Sequence, residues 1–223
     1  MSSAKPLFDP QSLPVDAIAG ETALGHERMV AAWLRQRFAN PPAWEAEAAE
    51  PAYLLRPKIT AASVLIPLVQ HPEGLSLLLT QRTDHLSSHA GQISFPGGRA
   101  EEGDSSAIDT ALRETEEEIG LHRRHIDILG ALPDYVTGSG YRVTPVVGLV
   151  TPPFELKPDP NEVADVFEVP LSFLMDGMNH QRLSVELPQG AGRRHFYAIP
   201  YGPHFIWGAT AGMLRNLFHL LRA

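Results

Sequence analysis

Residues 111–121 read ALRETEEEIGL, and this stretch places acids at the unfavourable end of a helix. It predicts the last turns of a helix closed by Gly120, with Glu114, Glu116, Glu117 and Glu118 in the final two turns. A helix C-terminus carries partial negative charge, which costs each exposed acid roughly 0.3–1 kcal/mol. Like charges four residues apart add a few tenths more. The total, on the order of 1–3 kcal/mol, is a real fraction of a domain's marginal stability. At about 100° per residue, Glu114, Glu117 and Glu118 share one face, and Glu116 points away. Three hard oxygen donors with no cysteine or histidine beside them suit Mg²⁺ or Mn²⁺, and a bound ion removes the repulsion. The alternative is a solvated acidic face paired with Arg113, Arg123 and Arg124. A glycine pair, Gly97–Gly98, leads into the helix and lets backbone groups approach a metal or a pyrophosphate closely.

Upstream of this helix, ASVLIPLVQ (62–70) and LSLLLTQR (75–82) are apolar runs separated by HPEG, which predicts a hairpin buried on both faces. Asp104 is the expected N-cap of a helix over about 105–119. Downstream, IDILGAL and RVTPVVGLV read as strands joined through TGSG (137–140), followed by DVFEVPL (165–171) and HFYAIPYGPHFIWG (195–208). TAGMLRNLFHLLRA (210–223) puts Met213, Leu217, Leu220 and Leu221 on one stripe of a core-packed helix. Residues 1–20 read as an irregular arm and 21–39 as an amphipathic helix. Its Trp33 and Phe38 can pack on their own domain or on a second subunit, as in a homodimer. The expected organisation is an N-terminal arm and helix over 1–55 and a compact domain over 56–223. Strands mixed with two or three helices give a layered α/β fold.

The 223 residues suffice for one large domain with an extension. A formal net charge of −8 argues against nucleic acid or an anionic membrane as partner, but not against an anionic small substrate met by local cations or a metal. The absence of cysteine excludes disulfides, thiol catalysis and cysteine-ligated zinc, and the histidines lack ligand spacing. No run of about 18 apolar residues and no signal-type segment occurs, so a cytoplasmic protein is expected.

The segment from Gly97 to Leu121 resembles the Nudix box, G-x5-E-x7-R-E-U-x-E-E-x-G-U. Arg113 and Glu114 match the RE, Glu117 and Glu118 the EE, and Gly120 and Leu121 the close. Thr115 stands in the usually aliphatic place. The first half departs from the pattern: the spacing from Gly98 to Arg113 is one residue longer, and Asp104 or Ser105 replaces the early glutamate. Residues 78–98, LLTQRTDHLSSHAGQISFPGG, are similar to the stretch carried by the coenzyme A-hydrolysing subgroup, with Ser87 where members usually have arginine. Segments 139–148, 161–171 and 205–214 extend the likeness over about residues 60–215.

The resemblance implies an α/β/α sandwich with a mixed sheet. It also implies metal-dependent cleavage of coenzyme A or acyl-coenzyme A to 3′,5′-ADP and 4′-phosphopantetheine. Glu114, Glu117, Glu118 and the Gly98 carbonyl are then the metal ligands, and Arg113 orients a box carboxylate. The general base is a box glutamate such as Glu117 or the later Glu162. Arg82, His89, Gln92 and Tyr141 are candidate substrate contacts, with structural roles as the alternative: Arg82 pairing an acid such as Glu114, His89 bracing its loop, Tyr141 packing. Arg56 and Lys58 are further cations for the 3′-phosphate, and Trp207 reads as core. Hydrolysis of NADH or ADP-ribose, and a non-catalytic nucleotide-binding module, are the competing functions.

Overall fold

The computed structural model describes residues 8–47, 59–84, 91–187 and 192–223. Arg56, Lys58, Ser87 and His89 lie outside the described residues, and so does the expected boundary near residue 56.

The chain runs β1 (Val15–Ile18), α1 (Ala31–Ala39), β2 (Thr60–His71), β3 (Gly74–Arg82), β4 (Ile93–Ser94), β5 (Gly97–Arg99) and α2 (Ala107–Ile119). It continues through β6 (Ile126–Ala131), β7 (Tyr135–Val136), β8 (Tyr141–Val150), β9 (Val163–Pro170), α3 (Leu171–Leu174), β10 (Gln181–Glu186), β11 (Arg193–Tyr201), β12 (His204–Trp207) and α4 (Ala209–Arg222). The fold is a mixed α/β arrangement. In the larger sheet β2 and β8 pair in parallel at the centre, β3 and β6 flank them antiparallel, and β9 pairs antiparallel with β3.

The register of that sheet creates an opening. At one end β2 pairs with β3, Leu68 opposite Leu77. At the other end β2 pairs instead with β5, Ser63 opposite Gly98, while β3 pairs with β4, Thr80 opposite Ser94. The chain from Ile93 to Arg99 therefore enters between β2 and β3 and splits them. Gly97 makes this possible. Its φ of 151° suits glycine, and a Cβ there would overlap the Ser63 carbonyl and the Val64 backbone.

The pleat sends successive β2 residues to opposite faces. Ile66 and Leu68 join a large core with Leu214, Leu217 and Phe218 of α4, whereas Leu65 packs with Ala111 of α2 and Val146. Full burial of each such side chain stabilises by roughly 1.5–3 kcal/mol. The α4 stripe of Met213, Leu217, Leu220 and Leu221 is buried as expected.

Several local expectations are corrected. Asp104 does not cap α2: the Ser106 hydroxyl accepts from the Asp109 N–H, because Asp104 is occupied by Arg113. The N-terminal helix begins only at Ala31, after a 3₁₀ turn at His26–Arg28. Its Trp33 and Phe38 pack on the core of their own chain. The supposedly irregular arm contains β1, which pairs with β10 at the edge of a second sheet ordered β1-β10-β11-β12. Residues 195–208 form a hairpin of two strands rather than one. Trp207 is half-buried, edge-on to Phe8 and Phe196.

Arg215 ties the N-terminal segment to α4. It is 2% exposed. Its two terminal nitrogens donate to both oxygens of Glu21 at 3.0 and 2.6 Å, and its Nε donates to Glu47 at 3.2 Å. Its Nη1 donates to His180 Nδ1 at 3.0 Å. Arginine can only donate, so His180 Nδ1 accepts, and Nε2 donates to the Leu174 carbonyl at 2.8 Å. His180 is thus held neutral, and burial lowers its pKa from 6.5 to about 4. The His219 contact first, with help from Arg215 and Tyr197, holds Glu47 at about 2 against its burial.

Because unfolded His180 takes its proton at a higher pH than folded His180, stability is whole above pH 6.5 and falls as pH drops from 6.5 to 4. Glu47 acts in the same sense between 4.5 and 2. Urea denaturation followed from pH 7 to pH 4 should show His180 alone removing about 3 kcal/mol. His180→Gln, which can keep both hydrogen bonds, should flatten that slope. An unchanged slope would assign the acid sensitivity to other groups.

Candidate active site

Helix α2 and the opening between β3 and β5 face each other, and the acids lie where they meet. Glu118 is only 5% exposed. One carboxylate oxygen accepts from the Gly97 N–H at 3.0 Å, and the other stands 3.5 Å from Arg82. Burial pushes its pKa up to about 7 despite these two partners, with Glu162 and Glu114 pushing the same way. Glu114 is also raised, chiefly by burial, with Glu117 and Glu162 adding to the shift. The Glu114 carboxylate lies where a Cβ on Gly98 would be, so the glycine is what admits it.

Arg113 organises the exposed half of the cluster. It grips Asp104 with two parallel bonds, at 2.9 and 3.0 Å, and donates to the Arg99 carbonyl at 3.0 Å. Its remaining nitrogen reaches Glu117 at 2.9 Å and Glu114 at 3.1 Å. All five guanidinium N–H donors therefore face acceptors, leaving none for a substrate. Glu116 points away, toward Arg123 and His122.

The loop carrying Glu162 is fastened at two points. Lys157 and Asp159 donate backbone N–H groups to the Ile119 and Glu118 carbonyls, satisfying acceptors that the end of α2 leaves open. Thr83, just past β3, donates its N–H to the Glu162 carbonyl and its hydroxyl to Asn161. The Glu162 charge is accordingly felt by both Glu114 and Glu118.

Among the expected substrate contacts, Arg82 pairs with Glu118 rather than Glu114. Gln92 stands across the opening, its carbonyl accepting from the Arg82 N–H at 2.9 Å. The Tyr141 hydroxyl accepts from Arg99 at 2.7 and 3.1 Å. Arg99 is not among the expected site residues, although its place directly after the glycine pair is a signal for it. The two-point Arg113–Asp104 contact was equally unforeseen.

Among the described residues no three acidic or histidine side chains converge closely enough, as they stand, to hold a metal ion. The carboxylates are engaged with Arg113 and Arg82 instead. In kind, the donor set still fits a divalent cation. It offers hard oxygens on one helix face, and two of its carboxyl groups have their pKa raised, chiefly by burial. No helix among the described residues is long and apolar enough to cross a membrane.

The profile of the Nudix domain matches residues 59–186. The chain is 41% identical over 171 residues to the Nudix hydrolase NudL of Escherichia coli K12, covering 74% of this chain and 88% of that protein. It is 44% identical over 156 residues to NudL of Yersinia enterocolitica, covering 70% and 78%. A solved MutT Nudix hydrolase from Burkholderia pseudomallei superimposes with a TM-score of 0.43 at 18% identity, over 72% of this chain and 98% of the other. With the glycine pair, Arg113 and the three glutamates assembled at one end of α2, the chain belongs to the Nudix hydrolases, enzymes that act on pyrophosphate bonds of small nucleotide derivatives and generally use divalent metal ions.

Proposed function

We propose that this enzyme cleaves the pyrophosphate of coenzyme A or an acyl-coenzyme A, giving 3′,5′-ADP and 4′-phosphopantetheine, with Mg²⁺ or Mn²⁺ in the site. The observation that carries the reading is that the described residues of the stretch similar to the coenzyme A subgroup, 78–84 and 91–98, border the opening. Arg82 and Gln92 join its two rims, and Gly97 and Gly98 meet Glu118 and Glu114.

Glu114, Glu117, Glu118 and the Gly98 carbonyl would hold the metal, which when bound neutralises the anhydride oxygens and favours ionisation of water. The remaining chemistry belongs to the protein. Glu162 approaches the cluster from the facing loop and makes no ion pair among the described residues, so its carboxylate is the one free to take a proton from the attacking water. Glu117 is tied to Arg113 and fills a metal-binding role better than a basic one. Arg113, with every donor occupied, fixes the carboxylates rather than the substrate.

Incubation with coenzyme A, with and without Mg²⁺ or Mn²⁺, followed by mass spectrometry of the products, tests the reading. Metal-dependent 3′,5′-ADP and 4′-phosphopantetheine are expected. Cleavage of NADH or ADP-ribose alone would move the enzyme to another substrate class, and inertness toward all three would leave a binding module. Glu118→Gln should lower kcat/KM by on the order of 10²–10³-fold, with the metal-free melting temperature unchanged or higher, since a buried acid is removed. A loss of folding with normal activity per folded molecule would contradict this role. Gly98→Ala should displace the Glu114 carboxylate and cost on the order of 10²-fold in kcat/KM, with circular dichroism unchanged. Full activity would show that Glu114 is not needed where it stands.

A further inference from the structure

Among the described residues three arginines stand around the site, and two are neutralised. Arg82 pairs with Glu118, and Arg113 with Asp104, Glu114 and Glu117. Arg99 differs. Among the described residues its guanidinium makes no ion pair. It bonds only the neutral hydroxyl of Tyr141, through Nε at 3.1 Å and a terminal nitrogen at 2.7 Å, and sits 5.5 Å from that ring's centroid. A phenol orients a guanidinium without cancelling its charge, and a bond to one oxygen leaves most of the five N–H donors open to an anion.

The register places this cation relative to the acids. Gly98 lies opposite Ser63, and its missing side chain would point at Glu114, on the α2 face. Arg99, the next residue, lies opposite Ala62, whose side chain joins the other face together with Tyr141 and Val143. Arg99 is exposed there. Its own carbonyl accepts from Arg113, so its backbone is anchored to the acid cluster while its charge projects away from it.

We propose that Arg99, held in place by Tyr141, is the subsite for a phosphomonoester on the substrate, separate from the anhydride that is cleaved. In the coenzyme A reading, on which the identity of that group rests, it is the 3′-phosphate of the ribose. The guanidinium and phosphate geometries allow a two-point contact that lysine cannot reproduce. Arg99 then sets which nucleotides are selected rather than how fast the anhydride breaks.

The affinity of the purified chain for 3′,5′-ADP and for 5′-AMP, measured by titration calorimetry with Mg²⁺ present, tests this without requiring turnover. The wild-type chain should bind the bisphosphate at least about tenfold more tightly. Arg99→Gln should lose that preference while keeping its AMP affinity within about twofold. Arg99→Lys should recover part of it, and Tyr141→Phe should weaken it by a few-fold. On coenzyme A, Arg99→Gln should raise KM and leave kcat unchanged, with dephospho-coenzyme A unaffected in both. A wild-type chain indifferent to the extra phosphate, or a preference that survives Arg99→Gln, would overturn the proposal, as would equal losses on both substrates. If the wild-type chain leaves coenzyme A intact, the coenzyme A reading falls, and the two-nucleotide comparison still decides the role of Arg99.

Discussion

The structure of the site follows from the burial of one carboxyl group, that of Glu118. An unpaired charge removed from water costs several kcal/mol and is tolerated only where hydrogen bonds or counter-charges meet it. Here the partners are one backbone N–H, from Gly97, and one arginine at 3.5 Å. Both are products of the split sheet: Gly97 lies on the segment that enters between β2 and β3, and Arg82 ends the strand it displaces. If β2 and β3 paired along their whole length, neither group would be available. The twelve-residue β2 can serve two neighbours in succession because Gly97 takes a backbone conformation and a closeness to Val64 that a side chain would forbid. Sheet register, glycine placement and the buried acid are therefore one arrangement.

Among the described residues two buried charge clusters stand out, and their balance separates their roles. Around Arg215, the cation is met by two carboxylates and the His180 imidazole, and the shifts favour the states that bind it: Glu47 strongly acidic, His180 neutral. Breaking such a network would leave a buried guanidinium unpaired, so it fastens the strand and loop of the N-terminal segment to α4. Around Glu118 the balance is reversed. Burial first, and the neighbouring acids after it, raise the pKa of Glu114 and Glu118, and Arg113 and Arg82 do not offset the shift. A satisfied cluster stabilises; an unsatisfied one at the mouth of a cleft is poised to bind positive charge.

Legibility in the sequence tracked the range of the interactions. The helix carrying the acids, its Gly120 terminus, the β2–β3 hairpin and the α4 stripe depend on periodicity and breakers within a dozen residues, and they appear where expected. The single face shared by Glu114, Glu117 and Glu118 is helical geometry and needed no fold. Asp104 shows where local rules stopped. As an N-cap candidate it looked sound, but a two-point contact with Arg113 outweighs one cap hydrogen bond, and Ser106 takes the cap. β1 was invisible because all four of its residues are exposed and its pairing partner lies more than 160 residues on, at β10. The Arg82–Glu118 pair and the docking of the Glu162 loop depend on the split register, which no local pattern encodes.

The Nudix match ends at residue 186, yet the chain beyond it is packed against the site. The Thr210 hydroxyl, in the first turn of α4, donates to the Ile93 carbonyl at 2.9 Å. Ile93 opens the segment that divides β2 from β3, so α4 holds one end of the wedge that exposes Gly97 to Glu118. The same helix is held at its far end by Arg28, which donates to the Leu221 and Arg222 carbonyls, and in its middle by Glu21 and Glu47 through Arg215. A C-terminal helix so placed would otherwise leave its last carbonyls without protein partners. The N-terminal segment thus supports α4, α4 supports the wedge, and the wedge supplies the N–H that meets the buried acid. Residues far from the Nudix box in sequence are structural parts of its site.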